Sequence, residues 1–370
     1  MERNMRLWLE DLLKATVKKA MPILSFPAIQ QMGVTVRELI SDSELQARAM
    51  ELIARRTDAA ASVSLMDLSV EAECFGATVR VTEGEVPTVA GSTVSTEEEA
   101  AALEIPQVGS CRTGLYIDAI RKAVGRITDR PVFAGVIGPF SLAARLLDVT
   151  EIMIDCYDEP DMVHTVLDKA AGFLIEYCKA YKAAGANGVM MAEPVTGLLS
   201  PSLAGEFSAP FVKRIVEAVQ DDSFIVIYHN CGGNVISMMD SILDTGSAAY
   251  HFGNAIHMPD ALAKIPGDTV VMGNVDPAGE LFGGTPESVR AATFNVMESC
   301  RGHNNFVVSS GCDIPPLTPW DNIDAFFGAV KEFYAQWEGL YGIRSSTSER
   351  KSFGGPCRKP VERYSAAGLC

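Results

Sequence analysis

The stretch PDMVHTVLDKAAGFLIEYCKAYKAAGANGVMMAE (160–193) decides the fold class. Residues 160–185 place apolar side chains at helical spacing behind an initial proline, a residue suited to the first turn because that turn's amides lack intrahelical acceptors. NGVMMAE (187–193) is then a short, continuously apolar run, the pattern of a strand buried on both faces of a parallel sheet. The same unit recurs along the chain. Strand-like runs are MPILSFP (21–27), ASVSLMD (61–67), VFAGVIG (132–138), SFIVIYH (223–229), AAYHFGN (248–254), TVVMGNV (269–275) and NFVVSSG (305–311). Helical spacing marks 44–56, 202–220, 259–265, 286–300 and 318–337. Eight strands alternating with helices predict an α/β fold of the (β/α)₈ TIM-barrel type.

The expected organisation is one barrel domain over residues 1–344, with an N-terminal surface helix, and a tail over 345–370. Residues 68–131 interrupt the alternation, and ECFGATVRVTEGEVPTVAG (73–91) within them reads as a β-hairpin. SSTSERKSFGGPCRKPVERYSAAGLC (345–370) is rich in Ser, Gly, Arg and Pro without a periodic apolar face, which predicts a flexible tail.

A net charge of −16 argues against a nucleic-acid partner, which needs basic surface. No apolar run approaches the roughly 20 residues of a bilayer span, and Glu10, Asp11, Lys14 and Lys18 interrupt the N-terminal stretch. The nine cysteines are odd in number and scattered, which fits free thiols in a reducing compartment. A cytoplasmic protein with neither a membrane nor a nucleic-acid partner is expected.

Catalytic groups of such a barrel sit at the C-terminal ends of its strands. Those ends read Asp67, GPF (138–140), AEPVTG (192–197), YHNCGG (228–233), HFGN (251–254), GNVDP (273–277) and SSGCDIPPLTP (309–319). His229 and Cys231 are two apart, so on an extended chain they point to one side. Cys312 comes from another strand end of the same mouth. One histidine and two cysteines would make a three-donor zinc site with an open position, the catalytic rather than the structural arrangement. A zinc site of this kind activates a thiol or a water; two thiolate donors weaken its Lewis acidity and favour the thiol. Glu193 and Asp67 are further candidates for catalytic roles at strand ends. Asp276 and Asp313 could orient ligands, or simply cap helices. No Walker loop or G-x-G-x-x-G is present.

HNCGG, GNVDP and SSGCDIPPLTPWDNI resemble the methylcobamide:coenzyme M methyltransferases of the uroporphyrinogen decarboxylase superfamily. GPFSLAARLL (138–147) and AEPVTGLLSP (192–201) are similar to further blocks of the pattern, and the resemblance covers roughly residues 20–340. It implies zinc held by His229, Cys231 and Cys312. It also implies a methylcorrinoid as co-substrate on a partner corrinoid protein, and a small-molecule methyl acceptor. The resemblance departs where the family often carries an acid near the sixth strand end. Here YHFGNAIH places His251 and Asn254, which with Asp276 are expected at the cofactor, His251 as a fourth zinc ligand or as a core histidine. The acceptor is left open between coenzyme M, tetrahydrofolate and another thiol. Two alternatives stand beside this reading. One is a uroporphyrinogen decarboxylase-like decarboxylase, although SFPAIQQMG at the first strand end lacks that enzyme's arginine-rich motif. The other is a non-catalytic, zinc-holding barrel that binds a corrinoid protein.

Overall fold

The computed structural model describes residues 3–341, with side chains through residue 336; the tail expected over 345–370 lies outside the described residues. Its strands are β1 (Ser62–Val63), β2 (Thr78–Arg80), β3 (Thr88–Ala90), β4 (Val132–Ile137), β5 (Gly188–Ala192), β6 (Ile225–Asn230), β7 (Ala249–Phe252), β8 (Val270–Val275) and β9 (Phe306–Ser310). Seven of them form one parallel sheet in the order β1-β4-β5-β6-β7-β8-β9, with helices between successive members, which is the expected α/β barrel architecture. The antiparallel pair β2-β3 stands apart, within the interruption between the first two barrel strands.

Every residue of β4 to β9 is buried, and alternate side chains enter two separate clusters. Phe133, Met190, Ile227, Met272 and Val307 fill the barrel interior, while Ala134, Val189, Val226, Val271 and Val308 pack outward beneath the helices. That two-sided burial explains the unbroken apolar runs. The N-terminal helix Met5–Lys14 is more than a surface helix. Its Met5 and Leu12 join the interior cluster, and Trp8 meets Phe133 with ring centroids 5.6 Å apart, so one face plugs the end of the barrel away from the strand C-termini. The long helix Pro160–Ala183 starts on its proline and stops at Gly185 (φ +97°), where the Ala186 N–H turns back to Tyr181 O at 3.1 Å. This left-handed cap aims the chain into β5.

The strand expected over 21–27 is not a regular strand. The segment does occupy the gap between β9 and β1: Met21 N–H donates to Val308 O (3.0 Å), and Ala60 N–H donates to Ala20 O (2.8 Å). Beyond that point serine side chains replace the main-chain ladder. Ser309 Oγ donates to Met21 O (2.7 Å), and Ile23 N–H donates to Ser310 Oγ (3.0 Å). The same substitution shortens β1, where Gly135 N–H donates to Ser64 Oγ (2.9 Å).

Candidate metal centre

Parallel register sets His229 of β6 beside His251 of β7, and Asn274 of β8 beside Ser309 of β9. After β6 the chain turns at once: Asn230 Oδ1 accepts the Gly232 N–H at 2.9 Å, an Asx-type turn that holds Cys231 at the mouth. Gly253 backs this turn so closely that a Cβ there would sit 2.5 Å from the Cys231 Cα. Only a glycine leaves room for Cys231 at this crossing. From the far side of the mouth, Cys312 follows β9 by two residues. One donor atom each from His229, Cys231 and Cys312 lies within 4.8 Å of the others, and Cys312 Sγ is 3.5 Å from His229 Nε2.

The two thiols titrate as a pair. The Cys312 thiol donates to Cys231 and lowers its pKa, while the same partner and burial push Cys312 well above an ordinary thiol. Two cysteine sulfurs and a histidine nitrogen this close together form a soft donor set of the size and chemistry that suits zinc.

His251 is placed behind this cluster and not in it. Its Nδ1 lies 2.8 Å from His229 Nδ1 and its Nε2 lies 2.7 Å from Ser309 Oγ, so both ring nitrogens are engaged away from the thiols. Complete burial pushes its pKa well below the usual histidine value, and the ring is neutral. It contacts the candidate ligand His229 from behind, through Nδ1.

The other residues singled out from sequence are dispersed. Asn254 is exposed and lies against Gly311, one residue before Cys312. Asp276 caps the helical turn Pro277–Phe282, accepting the Ala278 and Gly279 N–H groups at 2.9 Å. Glu193 is fully buried and caps the helix Pro139–Leu147: its carboxylate accepts Phe140 N–H (2.9 Å), Ser141 N–H (2.9 Å) and Ser141 Oγ–H (2.6 Å). Burial nevertheless raises its pKa to about 7. Asp67 pairs with Arg112 and accepts from Tyr116 OH (2.8 Å) and Ser69 Oγ (2.5 Å). Each carboxylate thus has a complete set of protein partners, and neither belongs to the His–Cys–Cys cluster.

Sequence reasoning passed over a second polar group beside Asp67. Arg112 also pairs with Glu73 (2.6 Å). Glu71 Oε1 accepts the Ile137 N–H, while its buried Oε2 has no protein partner, and burial lifts its pKa to about 7. Arg145 Nε and Asp313 Oδ1 are likewise buried and without partners. A readable signal existed for Arg145, the lone charge within the otherwise apolar PFSLAARLL (139–147). Ser309 gave none, because a serine inside a buried strand looks neutral.

Similar proteins supply the wider setting. The methylcobamide:CoM methyltransferase MtbA of Methanosarcina mazei is 26% identical over 275 residues, covering 72% of this chain and 78% of that protein. It is of the branch that the HNCGG and GCDIPP blocks resemble. A uroporphyrinogen decarboxylase of Synechococcus sp. is 31% identical over 229 residues, covering 59% of this chain and 62% of its own. A solved methyltransferase from Methanosarcina mazei superposes with a TM-score of 0.78 at 24% identity, over 90% of this chain and 99% of that one. A B12-independent methionine synthase from Shewanella sp. W3-18-1 follows at 0.57 and 13%, over 88% and 98%. These two structural likenesses speak to the fold alone. The Uroporphyrinogen decarboxylase (URO-D) family matches residues 15–333, nearly the whole described chain, and the protein belongs to that family.

Proposed function

We propose that this chain is a zinc-dependent methyltransferase that moves a methyl group from a methylcorrinoid, carried on a separate corrinoid protein, to a thiol such as coenzyme M. The convergence of His229, Cys231 and Cys312 within 4.8 Å carries the reading. The likeness to enzymes named methylcobamide:CoM methyltransferase supports the donor and the acceptor. A hydrolytic centre is less suited to two thiolate donors, which would weaken the Lewis acidity of the metal.

His229 Nε2 and the two Sγ atoms would hold the metal. Bound there, zinc would supply the positive charge that makes an entering thiol a thiolate at neutral pH. The transfer itself balances simply: the acceptor sulfur forms a C–S bond as the C–Co bond breaks, with its electron pair left on cobalt. Among the described residues no helix is long and apolar enough to cross a membrane. Tetrahydrofolate in place of a thiol is the alternative acceptor.

The test is metal content of wild type and Cys312→Ala, followed by demethylation of methylcobalamin with added thiols. About one zinc per chain is expected, lost in the variant, with demethylation that depends on thiol. A wild-type protein without zinc overturns the reading. Decarboxylation of a porphyrinogen would then become the leading activity, in line with the decarboxylase relatives.

A further inference from the structure

A line of short contacts runs from the barrel-closing segment to the candidate metal centre. Ser309 Oγ donates to Met21 O (2.7 Å), His251 Nε2 meets Ser309 Oγ (2.7 Å), His251 Nδ1 meets His229 Nδ1 (2.8 Å), and His229 Nε2 faces Cys312 Sγ (3.5 Å). Met21, His229, His251 and Ser309 are all buried, so water does not supply alternative partners.

With both imidazole rings neutral, the contacts in this line fix each proton from Ser309 to His229 Nδ1. A serine hydroxyl has one proton and can accept as well. With that proton on Met21 O, Ser309 Oγ must accept from His251, so His251 carries its proton on Nε2. Its Nδ1 then presents a lone pair, and the 2.8 Å contact requires His229 to donate from Nδ1. His229 Nε2 is left with the lone pair, and that atom is the one facing the cysteines. Reversing the line would orphan the Met21 carbonyl inside the core and put a proton on the nitrogen a metal needs.

We propose that Ser309 and His251 are positioning residues that lock His229 in its Nδ1–H tautomer and so ready its Nε2 as a ligand. Neither touches the donor atoms of the cysteines; both act through His229. The same serine ties the closure of the barrel to the ordering of the centre, because the Met21 carbonyl anchoring the line belongs to the segment that replaces the missing strand. This inference rests on the zinc reading above for its purpose, but not for its geometry.

The test uses the full chain, metal-free and labelled with ¹⁵N-histidine; it has five histidines, and His229→Gln identifies the relevant signals by their loss. Long-range ¹H–¹⁵N correlation is expected to show His229 protonated at Nδ1 with a bare Nε2, and His251 the reverse. Ser309→Ala should move His229 toward the Nε2–H form and lower zinc affinity, measured by chelator competition, on the order of 10- to 100-fold. Ser309→Thr, which keeps the hydroxyl, should restore both. Wild-type His229 protonated at Nε2 overturns the proposal, as does a Ser309→Ala protein with unchanged tautomer and affinity. If Ser309→Ala does not fold, the wild-type spectrum decides alone. The expected tautomer in a protein that fails to bind zinc would remove the metal reading and leave the lock standing.

Discussion

Replacing Arg112 with methionine tests the buried polar group beneath the mouth. The Arg112 side chain is 12% exposed and pairs with Asp67, whose side chain is 0% exposed. Arg112 also reaches Glu73 (2.6 Å) and Ser69 Oγ (2.9 Å), but the Glu73 side chain is 32% exposed, so that contact is partly screened. Arg112→Met leaves Asp67 buried with only Tyr116 and Ser69 as partners. Removing one member of a buried pair costs about 3–5 kcal/mol, because the surviving charge is uncompensated. The solvated Glu73 contact adds little, so about 3–5 kcal/mol is the expected total. In Arg112→Met/Asp67→Asn the orphaned charge is gone, and a substantial part of the loss should return. Urea unfolding followed by circular dichroism measures wild type and both variants, with zinc content as a control that should stay at the wild-type value. A single variant within about 1 kcal/mol of wild type would refute the argument, since Asp67 would then be well served without its cation.

Gly253→Ala forces a methyl to within 2.5 Å of the Cys231 Cα, and overpacking of about 1–3 kcal/mol should appear as zinc affinity weakened roughly tenfold or more in a folded protein. Unchanged affinity by chelator competition would mean the turn is not held by this contact. Glu71 sets a pH dependence. Its folded pKa of about 7 lies above the ordinary 4.5, so its contribution to stability is full below pH 4.5 and is lost as pH rises through about 7. The gap corresponds to about 3 kcal/mol, so Glu71→Gln should flatten the fall in urea midpoint between pH 5 and pH 8, leaving the share due to Glu193; an unaltered slope refutes the assignment.

The amino-acid sequence by itself determined the barrel from β4 to β9, because strands buried on two faces must be apolar at every position and so stand out between helical stretches. It also brought His229, Cys231 and Cys312 to one rim, since two-residue spacing and strand-end position follow from local geometry. Local geometry could not show that 21–27 closes the sheet without a ladder. Ser64, Ser309 and Ser310 take main-chain bonds there, and a hydroxyl's choice of partner depends on which strand lies beside it. Strand-end carboxylates were ambiguous for the same reason. Glu193 was a candidate for catalysis and Asp276 for orienting ligands or capping; helices that begin at the mouth carry unpaired amides, and both carboxylates accept from them. Only the folded chain set His251 behind His229, because the two meet through the parallel register of β6 and β7 across 22 residues of chain. Spacing specifies which residues reach the rim; the direction of each proton is decided by neighbours that folding supplies.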